Sequence, residues 1–187
     1  MQIKLFILFL LLVSIGCNND KMTHRDIVTQ YYNALNSGNH NEIQASINDI
    51  VTFISGDYVT SYNRDEFYEF FKWDSVFKPS YRILELEVKN NEVIASVAQE
   101  NARNEYLRNN PLVYKVKVYF ESGKISKVED LDYMDVNWET WSHKRDTLVS
   151  WIRNNHPNLD GFVNDITMEG AIDYLKAIEL FSSSQEN

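Results

Sequence analysis

Residues 112–134 read LVYKVKVYFESGKISKVEDLDYM. Leu112, Tyr114, Val116, Val118 and Phe120 recur at every second position of its first ten residues. Successive side chains of a strand point to opposite faces, so this period predicts a strand with one apolar face. Ser122-Gly123 is a turn signal, and 124–134 is the returning strand. The same texture lies upstream. Residues 80–89 (SYRILELEVK) place Leu84, Leu86 and Val88 on one face, Asn90-Asn91 marks a tight turn, and 92–107 reads as a long strand. A curved antiparallel meander is therefore expected over 80–134.

Ahead of the meander the period changes to that of helices. Thr23 and Asp26 form a capping-box start, and a helix to about Asn36 puts Ile27, Tyr31, Ala34 and Leu35 on one face. Gly38 is a natural stop. Asn39 with Glu42 starts a second, short helix. Residues 50–54 (IVTFI) read as a strand, and 57–62 (DYVTSY) as strand or loop. Asn63 with Glu66 caps a third helix striped by Phe67, Phe70 and Phe71. After the meander, 138–154 predicts a helix with Trp138, Trp141, Leu148 and Ile152 facing a core. Pro157 ends it, and 168–181 is a last amphipathic helix. Helices, then strands, then helices is an α+β pattern.

The chain has 187 residues, 44% of them hydrophobic and 13% aromatic, which suits one domain with a sizeable core. Its formal charge is −9, and without residues 1–16, which contain only Lys4 among charged residues, 17 basic residues face 27 acidic ones. So acidic a surface repels phosphate backbones, and nucleic acid is not an expected partner. Cys17 is the single cysteine, which rules out an intrachain disulfide and a cysteine zinc site. His24, His40, His143 and His156 show no ligand spacing, so no metal or other cofactor is expected.

The first residues carry an address. Lys4 precedes an unbroken apolar run, Leu5–Val13, far shorter than the roughly 20 residues of a membrane-spanning helix and suited to a signal core. Ser14, Ile15 and Gly16 then lead to Cys17, a sequence that resembles the lipobox of bacterial lipoproteins. The usual Leu three places before the cysteine is Ser14 here, a looser box typical of Bacteroidetes-like bacteria. An ordinary cleaved signal is the alternative. The resemblance implies a signal peptide over 1–16, an acylated Cys17, a polar tether over 17–22 and a domain from 23 onward. Acyl chains contribute about 0.8 kcal/mol per buried CH₂, so they would hold the domain at a cell-envelope membrane it does not span. Asn18 after the cysteine favours the outer membrane.

The segments IVTQYYNALNSGN (27–39), IVTFISGD (50–57), YNRDEFYEFF (62–71) and VYFESGKISKVED (118–130) together resemble the nuclear transport factor 2-like (NTF2-like), or SnoaL-like, superfamily. The resemblance spans about residues 24–134, with 135–187 an additional helical extension. It implies a sheet wrapped into a cone, closed by the first helix around an apolar pocket. Members include ketosteroid isomerases, polyketide cyclases, dehydratases and transport factors.

Against the ketosteroid isomerases, Tyr31 falls on the tyrosine that donates to the oxyanion. The general base falls on Ile54, and the second oxyanion donor falls near Val116. Proton abstraction needs a basic atom within hydrogen-bond reach, and isoleucine has none. Isomerase chemistry is therefore not expected. Counted from Ile125, the last strand's pocket-facing residues are expected to be Val128, Asp130, Asp132 and Met134, with Val118 on the neighbouring strand. Two carboxylates two residues apart on one face would stand about 7 Å apart. Inside an apolar cone at least one would have a raised pKa; if the strand leaves the cone there, both meet water. Glu100 is a further candidate for an inward position.

These readings point first to a lipid-anchored envelope protein whose cone binds a small apolar or amphipathic molecule without catalysis. A second reading is a lyase, hydratase or cyclase using Asp130 or Asp132 as acid/base with Tyr31 as donor. A third is an interaction module that pairs through the sheet's outer face, as a homodimer, unless the helices of 138–181 cover that face.

Overall fold

The computed structural model describes residues 22–185. The signal of 1–16, Cys17 and the tether up to residue 21 lie outside the described residues. Helix α1 (His24–Ser37) begins with the expected reciprocal cap, the Thr23 hydroxyl accepting from the Asp26 N–H while the Asp26 carboxylate accepts from the Thr23 N–H. It ends at Gly38, whose φ of 66° is a left-handed conformation that glycine adopts without steric cost. Helix α2 (His40–Ser46) leads into β1 (Ile47–Ser55), which starts earlier than the sequence suggests because buried Ile47 already pairs with Ile125. Residues 58–63 form β2 (Tyr58–Asn63), resolving the ambiguous stretch as a strand hairpinned to β1. Asn63 then caps α3 (Arg64–Val76) with Glu66, as read from the sequence.

Strands β3 (Ser80–Lys89) and β4 (Glu92–Glu100) follow. The expected long strand over 92–107 breaks at Asn101. Its side chain accepts from the Asn104 N–H at 2.7 Å and starts a short helix, α4 (Ala102–Tyr106), before β5 (Leu112–Glu121) and β6 (Lys124–Met134). The sheet runs β2-β1-β6-β5-β4-β3, antiparallel throughout except for the parallel β1–β6 pair. Register shifts interrupt β3–β4 between Ile83 and Glu85, and β5–β6 at Lys115/Val116 and Tyr119/Phe120. Each extra residue bends its strand and increases the twist, which rolls the sheet around α1.

Two apolar cores result. In the first, Ile27, Val28, Tyr31 and Tyr32 of α1 pack with Phe67 on the inner face of the sheet, where Val93, Ala95, Val97, Val116 and Val118 alternate inward. The second joins Phe77, after α3, to Leu148 and Ile152 of α5 (Trp138–Asn155) and to Ala171, Tyr174 and Ala177 of α6 (Met168–Gln185). The extension thus packs α6 against α3, and the outer face of the sheet is not where it sits. Across β4, β5 and β6 that outer face carries a polar cluster. Lys117 pairs with Glu92 at 2.8 Å, the Tyr119 hydroxyl donates to Glu129 at 2.5 Å, and Lys127 stands 3.5 Å from the Tyr119 ring centre. The expected core stripe of α5 is also narrower than its spacing suggests. Leu148 and Ile152 are buried, but Trp138 is 48% exposed and rests edge-on against Tyr133 and Trp141.

Candidate functional site

The rolled sheet, α1 and α3 enclose a cavity of about 360 Å³. Its size lies near the small end of the range typical of ligand pockets. Phe53 from β1, Phe70 and Trp73 from α3, and Tyr31 and Tyr32 from α1 supply aromatic walls. Helical periodicity puts the α1 pair there, next to buried Ile27 and Val28. Burial pushes the Tyr31 and Tyr32 hydroxyls far above the ordinary tyrosine range, so both remain protonated hydrogen-bond donors.

The sequence-derived candidates divide. Tyr31, Val116, Val128 and Asp130 line the cavity. Ile54 does not, because the strand's alternation turns Phe53 inward and leaves Ile54 on the opposite face. Val118 is buried in the first core without reaching the cavity wall. Asp132 and Met134 are displaced by a bulge. Val116 pairs with Asp130 and Lys115 with Asp132, so Leu131 is the extra residue and the inward phase passes to Tyr133. Asp132 faces solvent, where it accepts from the Tyr133 N–H at 2.9 Å. Glu100 is exposed as well, and Gln99 takes the inward place.

The bulge builds a pair that alternation alone does not foresee. The Tyr133 hydroxyl donates to Asp130 Oδ2 at 2.5 Å. Burial, with the Asp130 carboxylate beside it, pushes Tyr133 up to about 12. Further groups on the wall were not singled out in the sequence. Asp74 accepts from the Tyr81 hydroxyl at 2.6 Å, and Tyr81 in turn accepts from Gln99 Nε2 at 3.0 Å. Arg103 and Asn104 enter from α4, the helix hidden within the expected long strand. The Asn-rich flanks, Asn101 and Asn109-Asn110, were the available signal for that break.

Asp74 is raised above its ordinary 3.8, chiefly by burial, against the opposing pull of Tyr81 and of the Arg103 charge. A carboxyl raised in the folded state contributes stability that is present below its unfolded pKa and is lost as pH rises through its folded pKa. Asp74→Asn keeps an oxygen to accept from Tyr81 and removes the titration. The urea midpoint of the wild type is therefore expected to fall relative to Asp74→Asn between pH 4 and pH 7. A gap that stays constant or moves the other way would show that Asp74 does not titrate in this manner.

Among the described residues no cluster of three His, Cys, Asp or Glu is arranged to hold a metal ion. No helix among them is long and apolar enough to cross a membrane. The chemistry present is that of hydroxyl donors, carboxylates and one guanidinium around an apolar space.

No family model and no curated protein matches the chain. Solved structures do. An NTF2-like protein of unknown function from Cytophaga hutchinsonii ATCC 33406 superimposes with a TM-score of 0.50 at 16% identity, over 62% of this chain and 93% of that one. The fold is the NTF2-like cone. A provisionally assigned ketosteroid isomerase from Kribbella flavida DSM 17836 matches at 0.50 and 16% identity, over 60% and 78%. An uncharacterized cystatin-fold protein from Novosphingobium aromaticivorans matches at 0.51 and 11% identity, over 59% and 99%. At these identities the likeness describes the NTF2-like architecture, and what the cavity does must be argued from its own residues.

Proposed function

We propose that this NTF2-like domain binds a small amphipathic molecule in the cavity between α1, α3 and the sheet, and that an acylated Cys17 holds it at a cell-envelope membrane. The cavity carries the reading. It is walled by aromatic rings, has a few buried polar groups, and is of a size that suits a small ligand. The inward residue of β1 is Phe53, and neither it nor Ile54, on which the sequence resemblance sets the isomerase base, carries a proton-accepting group, which supports binding without isomerisation.

Its two parts fail separately. Intact mass of the protein recovered from bacterial membranes is expected to show a chain beginning at Cys17 and carrying acyl mass, and Cys17→Ser is expected to leave the membrane fraction. An unmodified N-terminus would remove the anchor. Solvent extraction of the purified protein is expected to release a stoichiometric small molecule that is chemically unchanged on incubation. Turnover of that molecule would replace the binding reading with an enzymatic one, and Asp130 with Tyr133 would then be its acid/base pair.

A further inference from the structure

We infer that the cavity's ligand is an organic monocarboxylate with a flat apolar body, its carboxylate received by Arg103 and Asn104. The inference rests on the reading of the cavity as a binding site and adds the chemical class of the occupant.

Arg103 lies on the cavity wall, yet its guanidinium makes no hydrogen bond and no ion pair among the described residues. Its Nε is buried without an acceptor. Its central carbon stands over two rings, 5.4 Å from the centre of Trp73 and 5.5 Å from that of Tyr174. Contact with ring faces restrains a guanidinium without using its N–H donors, which stay available to a planar acceptor such as a carboxylate.

Asn104, next to it on α4, repeats the pattern. It is 5% exposed. Its backbone groups are taken, the N–H by Asn101 Oδ1 at 2.7 Å and the carbonyl by the Asn109 N–H at 3.0 Å. Its Nδ2 is buried with no acceptor. Two neighbouring residues thus bring unanswered donors to one wall, and a buried donor needs an acceptor.

The nearby acid does not supply it. Asp74 already accepts from Tyr81 and forms no ion pair with Arg103. Asp74 and Asp130 on the same cavity repel a dianion such as phosphate about twice as strongly as a monocarboxylate, so a single negative charge is the most that the one guanidinium can offset. Phe53, Phe70, Tyr31 and Tyr32 provide ring surfaces for the apolar body.

Three probes of one shape test the inference on the purified protein by Trp fluorescence titration: naphthalene-2-carboxylate, naphthalene-2-carboxamide and 2-naphthylmethylamine. The carboxylate is expected to bind at least about tenfold more tightly than the amide, and Arg103→Gln is expected to bring the two within about twofold. If circular dichroism shows that Arg103→Gln fails to fold, Asn104→Asp serves instead. It sets a like charge at the carboxylate's place and is expected to remove the preference while retaining amide binding.

Equal binding of all three probes would overturn the carboxylate inference and leave the binding cavity standing. Tightest binding of the amine would overturn it in favour of recognition by Asp74 and Asp130. If none binds, and neutral 2-methylnaphthalene also fails, the inference and the binding reading fall together.

Discussion

Tyr174→Ala is expected to lower the stability of the protein by about 3–5 kcal/mol, the range for removing a large aromatic side chain from a packed interior. Tyr174 is among the largest fully buried side chains. Its ring meets Phe77 edge-on at 5.7 Å and Phe162 at 4.9 Å, and the Arg103 guanidinium carbon stands 5.5 Å from its centre. Truncation therefore opens a void where α6, α3 and α4 meet and removes one of the guanidinium's two ring contacts. Tyr174→Phe separates the ring from the hydroxyl. That hydroxyl is buried with no acceptor among the described residues, so its removal is expected to leave stability unchanged or to raise it by about 1 kcal/mol. Urea denaturation of both variants checks the pair. A midpoint for Tyr174→Ala equal to that of the wild type would mean that the second core contributes little to folding.

Gly170→Ala is the second large effect, and its sign runs against helix propensity. Within a helix, Ala is favoured over Gly by about 1 kcal/mol. Gly170 lies in the first turn of α6, where a Cβ would stand 2.3 Å from the Asp165 carbonyl oxygen and 2.5 Å from Asp165 Cβ. No side chain tolerates such contacts, so the loop must move. Overpacking of this kind costs about 1–3 kcal/mol.

The displaced residue is a junction. The Asp165 carbonyl accepts from Trp73 Nε1 at 3.1 Å, and its carboxylate accepts from the Thr167 N–H and hydroxyl at 2.9 and 2.7 Å. The alanine variant is expected to melt earlier and to shift Trp73 emission to the red. A variant as stable as the wild type, with unchanged emission, would show that the loop yields freely.

Side-chain period and capping chemistry made much of this architecture legible in the sequence. Thr23 with Asp26 and Asn63 with Glu66 fixed two helix starts, and the clean alternation of 112–121 fixed a strand and its inward face. The cavity was legible only in part. Tyr31 could be placed because the period of α1 runs undisturbed to it, and Asp130 because alternation holds from Val128 to it, past a first bulge between Ile125 and Lys127. Asp132 could not, because one extra residue at Leu131 reverses the alternation and carries no compositional mark. Arg103 was hidden by a different cause. β4 ends at Glu100, and the chain turns on a single Asn side chain, a local hydrogen bond that competes with the ladder without changing the surrounding polarity. The destination of the last two helices was set by contacts far along the chain, those of Phe77 with Leu148 and Tyr174, to which local periodicity is blind.

The wall that holds Arg103 has a mixed origin, with a consequence for how this cone could diversify. Of the two rings that the guanidinium meets, Trp73 belongs to α3, whereas Tyr174 belongs to the extension. On the proposed carboxylate site, ligand choice is thereby tied to a segment that contributes no strand to the sheet. Changes in the last helix can retune which molecules are accepted while the barrel-like frame, with its strand pairing and its tyrosine helix, is inherited intact.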